Sequence, residues 1–255
     1  MDKSYKIMKK ITVENIRESY LSAPDTDFYR YSLARFFFRP VSFWLSVVFL
    51  KLGWTPNQVT WVSWLFALVG CFGYMFGSDY VNYIAFSCLI IWALLDYVDG
   101  SMARFLRQRT SFGHFIDVVG AYFVIALLPI CMAIGIVNYN YFSEVYNFYC
   151  LIFGAFSSIL STLLRLILAK GEVVFNYGGR EAMNTSSSWF SSFLKWVEAI
   201  MSPRGIYFPL LLACSMFGVE ALFGFVLVYF LYNAVSFVGY LTLYLYGKYR
   251  LIDAE

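Results

Sequence analysis

Charged residues are scarce in this chain. Only 14% of its 255 residues are Asp, Glu, Lys or Arg, whereas 60% are hydrophobic and 22% are aromatic. Soluble domains carry about 25% charged residues, so this composition is typical of an integral membrane protein. The net charge is only +3, and we expect membrane lipids but no nucleic acid among its partners.

The sequence also has only one histidine and no closely spaced pair of cysteines. His114 is the one histidine, and the five cysteines lie singly inside apolar segments, with no C-x-x-C motif or other ligand spacing. The sequence therefore predicts no disulfide framework, and the cysteines are expected to be small core residues. They are Cys71, Cys88, Cys131, Cys150 and Cys214.

No apolar core follows the polar N-terminal residues 1–27, so we expect no secretory signal there. Residues 28–52 then alternate arginine with bulky apolar groups. Their apolar run, residues 41–50, is too short to cross about 30 Å of hydrocarbon. We therefore predict an amphipathic helix that lies in the membrane interface and ends at Gly53. In this interpretation, residues 1–53 form a cytoplasmic N-terminal segment.

A new helix is predicted to begin at Thr55 and Pro56, with threonine as N-cap and proline at the first helical position. Long apolar stretches follow and predict six transmembrane helices within residues 54–250. The predicted ranges are 56–76, 83–104, 112–137, 145–169 and two spans within 205–247, divided at residues 218–224. The expected fold is all-α, an integral membrane domain preceded by an interfacial amphipathic helix.

The basic residues test this arrangement, because Lys and Arg collect on the cytoplasmic side of membrane proteins. With six spans, all 19 Lys and Arg residues fall on or beside one face of the membrane. The three turns on the opposite face carry none. We therefore predict a multi-pass protein with both termini, and a candidate site at residues 96–121, on the cytoplasmic side.

Three carboxylates, Asp96, Asp99 and Asp117, lie within sequence that otherwise predicts membrane spans. An ionised side chain at that depth costs about 2.5–3.5 kcal/mol, so such acids are functional candidates by default. Asp96 and Asp99 share a helix face, and a short link would bring Asp117 of the next helix opposite them. Three hard oxygen ligands around one point suit Mg²⁺ or Mn²⁺ and not zinc. The alternative is a structural cluster in which Asp96 or Asp99 pairs with Arg104.

Residues 96–121 resemble the signature of the CDP-alcohol phosphotransferase (CDP-alcohol phosphatidyltransferase) family, D-x-x-D-G-x-x-A-R, eight residues, G-x-x-x-D-x-x-x-D. Seven of its eight specified positions match, namely Asp96, Asp99, Gly100, Ala103, Arg104, Gly113 and Asp117. The eighth is Ala121, where the family has an aspartate. Residues 55–60, T-P-N-Q-V-T, are similar to a T-P-N-x-x-T motif that is common at the start of the family's first membrane helix.

The resemblance implies a six-helix core that transfers a phospho-alcohol or phosphatidyl group from a CDP-linked donor to a hydroxyl of a lipid or polyol acceptor, releasing CMP. It implies that Mg²⁺ or Mn²⁺ is held by Asp96, Asp99 and Asp117. It implies a CDP pocket shaped by Gly100, Ala103, Arg104, Gly113, Asn57 and Thr60. Where the acceptor carries a phosphate, the candidates for binding it are Arg165 and Arg204, with topological anchoring as their alternative role. Homodimers are common in the family.

Ala121 stands where the family's expected catalytic base and second-metal ligand would be, and alanine can serve neither role. We therefore expect an impaired enzyme, either a naturally inactive or altered member or one from which the aspartate was deliberately removed. The seven intact positions favour deliberate removal. The alternative function is a non-catalytic membrane protein that binds a CDP-lipid or an anionic headgroup. A transporter is disfavoured, because the sequence shows neither an internal repeat nor paired broken helices.

Overall fold

The computed structural model describes residues 11–22, 37–108, 111–175, 201 and 207–252. These residues form helices and short turns, and no β-strand occurs among them. In chain order the helices are α1 (Val13–Leu21), α2 (Arg39–Lys51), α3 (Pro56–Gly73), α4 (Asp79–Phe105), α5 (Ser111–Asn138), α6 (Glu144–Phe175), α7 (Tyr207–Phe217) and α8 (Val219–Ile252). A 3₁₀ turn continues α3. The all-α prediction is confirmed for this part of the chain.

Five helical stretches within the described residues are long and apolar enough to cross a membrane. They are Pro56–Phe76, Asp79–Phe105, Ser111–Asn138, Glu144–Ile167 and Val219–Thr242. These stretches correspond to the first four predicted spans and to the last one. Their length and composition agree with a multi-pass integral membrane protein.

The predicted fifth span contains α7, which has 11 residues. At 1.5 Å per residue α7 is about 16 Å long, roughly half the thickness of the hydrocarbon core. Residues 202–206, which precede it, lie outside the described residues, so the count of six spans stays a prediction. Gly218 alone separates α7 from α8 and has a φ of +92°, a conformation that favours glycine.

The junction between α2 and α3 follows from local sequence signals. Gly53 has a φ of +78°, and the N–H of Trp54 donates to Phe49 O at 2.9 Å. The Trp54 and Phe49 rings lie 5.1 Å apart, which completes a glycine-terminated helix cap. Thr55 and Gln58 then form a reciprocal cap, since Thr55 N–H donates to Gln58 Oε1 at 2.9 Å and Gln58 N–H donates to Thr55 Oγ1 at 3.4 Å. The predicted end at Gly53 and start at Thr55 are both confirmed.

Helix α1 was not predicted, because its segment looked only polar and mixed in charge. Thr12 caps it by accepting a hydrogen bond from the N–H of Asn15 at 3.2 Å. Ile16 and Tyr20, four residues apart on one face, are 0% and 1% exposed. Burying an aliphatic side chain of this size is worth about 1.5–3 kcal/mol, so α1 is held by packing and not by helix propensity alone.

The chain divides into two compact units. The first comprises Met1–Gly70 and Ile84–Ala121, and the second comprises Cys71–Tyr83 and Tyr122–Glu255. This division does not address which residues are cytoplasmic, so the predicted boundary after residue 53 stays a prediction. Every residue of the predicted metal and CDP sites belongs to the first unit.

The core of the first unit joins α1, α2, α3 and α4. Its buried side chains are Ile11, Ile16, Tyr20, Phe43, Val47, Leu50, Val59, Leu95, Val98 and Met102. Ser46 of α2 is fully buried, and its Oγ lies 3.3 Å from Val98 O of α4, so a small polar residue brings these helices close together. Glycine does the same elsewhere, since a Cβ placed on Gly120 of α5 would lie 2.2 Å from Trp64 Nε1 of α3.

Polar side chains link helices of the second unit, both at helix ends and in the middle of helices. Tyr139 donates to Asp79 Oδ1 at 2.5 Å and accepts from Asn82 Nδ2 at 2.9 Å. Burial and the adjacent Asp79 raise the pKa of Tyr139, so its hydroxyl stays protonated as a donor. Between α6 and α8, Asn233 Nδ2 donates to Ser157 Oγ at 2.9 Å. Such hydrogen bonds link helices that have little hydrophobic drive to associate in lipid.

Candidate active site

Asp99 and Thr60 are joined by a direct hydrogen bond although they are far apart in sequence. Thr60 lies in the second turn of α3, and its Oγ1 donates to Asp99 Oδ2 of α4 at 2.6 Å. Asp99 is only 8% exposed, and its carboxylate also accepts from the backbone N–H of Gly100. Because hydrogen bonds to a buried carboxylate offset part of its desolvation cost, this pairing holds an acid inside a membrane span.

Asp117 of α5 approaches the same carboxylate. The charges of Asp99 and Asp117 lie within electrostatic range of each other, and Asp117 is half-buried. Asp96 lies one helical turn before Asp99 on α4 and is also half-buried. Among the described residues, no group of three or more His, Cys, Asp and Glu side chains is close enough to hold a metal ion. The structure thus brings two carboxylates together, and a complete ligand shell is not assembled from the protein side chains as they stand.

Like charges in a poorly solvated site repel each other, and a bound cation or protonation of one of the acids relieves that repulsion. The donor atoms present are carboxylate and hydroxyl oxygens, from Asp99, Asp117 and Thr60. Hard oxygen donors fit Mg²⁺ or Mn²⁺ in chemistry. The residues therefore fit such an ion by donor type, while its binding and the full set of ligands remain predictions.

Arg104 supplies positive charge beside the acids. Its guanidinium lies beside Gly100, one turn earlier on α4. A Cβ placed on Gly100 would lie only 3.2 Å from Arg104 Nη1. The same guanidinium attracts the carboxylate of Asp99. The alternative of a structural cluster built on Arg104 and an aspartate therefore stays open beside the metal interpretation.

The remaining predicted site residues lie on α3, α4 and α5. Ala103 is half-buried, and its carbonyl accepts from Gln108 N–H at 3.0 Å where α4 ends. Ala121 is half-buried on α5, one turn after Asp117 and next to the contact of Gly120 with Trp64. Gly113 lies in the first turn of α5, and Asn57 is exposed in the first turn of α3. Position 121 is thus one turn from Asp117 along α5 but carries no functional group.

A cluster of aromatic rings and arginines borders the site, and sequence reasoning missed it. The guanidinium carbon of Arg39 lies 4.3 Å from the ring centroid of Tyr20 and 4.5 Å from that of Tyr97. The guanidinium carbon of Arg104 lies 5.1 Å from the Tyr20 ring. In the sequence, the four-residue spacing of Ile16 and Tyr20 indicates a shared helix face. That spacing does not predict which residues contact the face.

The two predicted acceptor residues stand differently. Arg165 belongs to the second unit, is half-buried on α6, and places its guanidinium carbon 5.3 Å from the ring centroid of Tyr122. Arg204 lies outside the described residues. Cation–π pairing explains how Arg165 is held, and its role toward a ligand stays a prediction.

A comparison with protein-family models matches residues 53–226 to CDP-alcohol phosphatidyltransferase. The match covers more than half of the chain and includes the aspartate stretch of residues 96–121 completely. Among curated proteins, no sequence matches this chain.

Proposed function

Because the chain belongs to the CDP-alcohol phosphatidyltransferase family, we propose that its aspartate site transfers a phospho-alcohol or phosphatidyl group from a CDP-linked donor to an acceptor hydroxyl. One observation carries the proposal to this site. Asp99, buried in a predicted membrane span, is held by Thr60 and is approached by Asp117 from a neighbouring helix. Buried acids of this kind are costly, and their expected use is to bind a cation or a reacting group.

The reaction is a displacement at phosphorus. The acceptor oxygen attacks the β-phosphorus of the donor, the bond from that phosphorus to the bridging oxygen breaks, and CMP leaves with the bridging oxygen. The acceptor's proton passes to a base. Such reactions depend mainly on positioning and on neutralising the phosphate charge, because the protein needs to supply little covalent chemistry.

We assign the metal to Asp96, Asp99 and Asp117, with Mg²⁺ or Mn²⁺ as the ion. When bound, the ion would offset the negative charge of the diphosphate and polarise the phosphorus–oxygen bond. The hydrogen bond from Thr60 to Asp99 Oδ2 restrains the Asp99 side chain. It uses one acceptor position of the carboxylate and leaves the other lone pairs for a cation.

The donor's nucleotide is assigned to the surface around the acids. Ala103 and Gly113 are small residues that leave room for it. Gly100 makes room for the guanidinium of Arg104, which supplies positive charge. Thr60 borders this surface through Asp99, and the exposed Asn57 lies one turn earlier on α3. Arg165 and Arg204 remain our candidates for an acceptor phosphate.

Ala121 favours a second candidate function. A family aspartate at this position would act as a base beside Asp117, and alanine has no group that accepts a proton. This chain is therefore an impaired transferase or a non-catalytic membrane protein that binds a CDP-lipid or headgroup. CDP binding is common to the transferase and to a protein that binds a CDP-lipid, whereas a protein that binds only a headgroup would lack it. Only the transferase regains turnover when the acid is restored.

The proposal is tested by ligand-linked stabilisation of the parent chain. CDP should raise the unfolding temperature only when Mg²⁺ or Mn²⁺ is present. A ligand at about 100 times its Kd stabilises a protein by about 2.7 kcal/mol, which such a measurement detects easily. UDP is the matched control, since it has the same charge and a different base. No shift with CDP and either ion, or equal shifts with CDP and UDP, would contradict the proposal.

The predicted sidedness is tested with two cysteines, each introduced alone into a chain whose five native cysteines are replaced by alanine. Ser143 and Gln108 are both exposed, on opposite predicted faces of the membrane. In right-side-out vesicles, an impermeant maleimide should label Ser143→Cys at once, and Gln108→Cys only after permeabilisation. Labelling with the opposite pattern would show that the aspartate site faces away from the cytoplasm.

A further inference from the structure

Helix α1 is built into the first unit although it precedes the family match at residues 53–226. Its side chains Ile16 and Tyr20 are 0% and 1% exposed, inside a core shared with α2, α3 and α4. Burial this complete shows that α1 is docked on the unit that carries the aspartates. The question is what Tyr20 does there beyond filling space.

The Tyr20 ring contacts two guanidinium groups at once. Arg39 lies 4.3 Å and Arg104 lies 5.1 Å from its centroid, measured from each guanidinium carbon. The face of an aromatic ring attracts cations, and the attraction is stronger where water is excluded. Arg39 is itself buried at 7% exposure and also faces the Tyr97 ring, so it belongs to the fixed frame of the cluster. Arg104 is half-buried and is the arginine that borders the acids.

Two contacts together restrict the Arg104 side chain. On one side its guanidinium lies against the space above Gly100, where a Cβ would come within 3.2 Å of Nη1. On another side it lies near the ring of Tyr20. An unrestrained arginine has many rotamers, and holding it in one before a ligand arrives reduces the entropy lost on binding.

We propose that Tyr20 is a positioning residue for Arg104, so that docking of α1 prepares the guanidinium to bind the diphosphate of a cytidine nucleotide. This rests on the proposed function, which places the donor beside Asp99 and Arg104. It adds a residue outside the family match to the donor site and predicts that nucleotide affinity depends on α1. If Tyr20 only packed in the core, its replacement would not change nucleotide affinity.

The experiment measures CDP affinity in the presence of Mn²⁺ by calorimetric titration of the full chain. Tyr20→Leu removes the aromatic face and should weaken CDP binding by about 5- to 20-fold, within the range that a desolvated cation–π contact supplies. Tyr20→Phe keeps the ring and should bind CDP within about twofold of the parent. If Tyr20→Leu does not yield folded protein, Tyr20→Met fills the space with a flexible apolar side chain.

Two controls separate positioning from stability. Tyr74→Leu removes another buried tyrosine, 2% exposed and in the second unit, and should lower stability without changing CDP affinity. In an Arg104→Gln background, Tyr20→Leu should have no further effect on CDP affinity, because the residue on which it acts is gone.

Equal CDP affinity in the parent and Tyr20→Leu would overturn the inference and leave the proposed function intact. An undiminished Tyr20→Leu effect in the Arg104→Gln background would also overturn it. A parent chain that does not bind CDP would overturn the proposed function, and the inference with it.

Discussion

Replacing Ala121 with aspartate is expected to raise metal-dependent CMP release by at least about 10²-fold, because a positioned general base is typically worth 10²–10⁴-fold. Position 121 lies one turn after Asp117 on α5, so the two side chains project from the same helix face. Asp117 already lies within electrostatic range of Asp99. A carboxylate at position 121 would therefore join the acids where the acceptor hydroxyl must lose its proton.

The measurement is CMP formed per enzyme in a mixture of CDP-linked donors, extracted lipids and polyols. Ala121→Asn is the matched control, since it adds the same shape without a base and should stay near the parent rate. Equal and substantial rates in the parent and Ala121→Asp would place the base elsewhere. Equal and absent rates across a broad acceptor panel would favour the non-catalytic binding protein.

The second large effect concerns the carboxylates that we assign to the metal. Asp99→Asn and Asp117→Asn should each weaken Mn²⁺-dependent CDP binding by at least about 10-fold, the lower end of what even outer-shell changes cost a metal site. Asparagine preserves the fold at residue 99, because its carbonyl oxygen can still accept the hydrogen bond from Thr60. What each variant loses is one negatively charged oxygen of the proposed metal site.

Asp79→Asn is the control for these variants. It also removes one carboxylate from α4, but it lies in the second unit, where it accepts from Tyr139. It should leave the combined shift of unfolding temperature with Mn²⁺ and CDP unchanged. If Asp117→Asn gives the same combined shift as the parent, the assignment of Asp117 as a ligand is wrong.

Local signals predicted most helix ends well. The helix end at Gly53 and the helix start at Thr55 lie where the sequence predicts them. Both are determined by contacts within a few residues, namely a glycine with positive φ and a capping box between Thr55 and Gln58. The second span is longer than predicted. It begins at Asp79, within the stretch that was predicted to be a polar turn. An acidic side chain in the first turn of a helix is favourable, because it interacts with the positive end of the helix dipole.

Tertiary contacts could not be predicted in the same way. Nothing in the periodicity of α3 or α4 shows that Thr60 donates to Asp99; only the resemblance to the family placed both near one pocket. Helix α1 escaped prediction because a nine-residue helix is marginal alone and forms here by burying Ile16 and Tyr20. The spacing of two side chains predicts that they share one face of a helix. It does not predict which other helix packs against that face, because that helix is distant in the sequence.

The central claim is that this site moves a phosphorus-bearing group from a CDP-linked donor to a hydroxyl. The most direct measurement uses the Ala121→Asp chain with Mn²⁺, an extract of lipids and polyols, and a donor labelled with radioactive phosphorus at its β-phosphate. We expect the label to appear in a new acceptor product in equal amount with unlabelled CMP. Label that remains in the donor, or that is released as a water-soluble phosphate in the absence of an acceptor product, would contradict the claim.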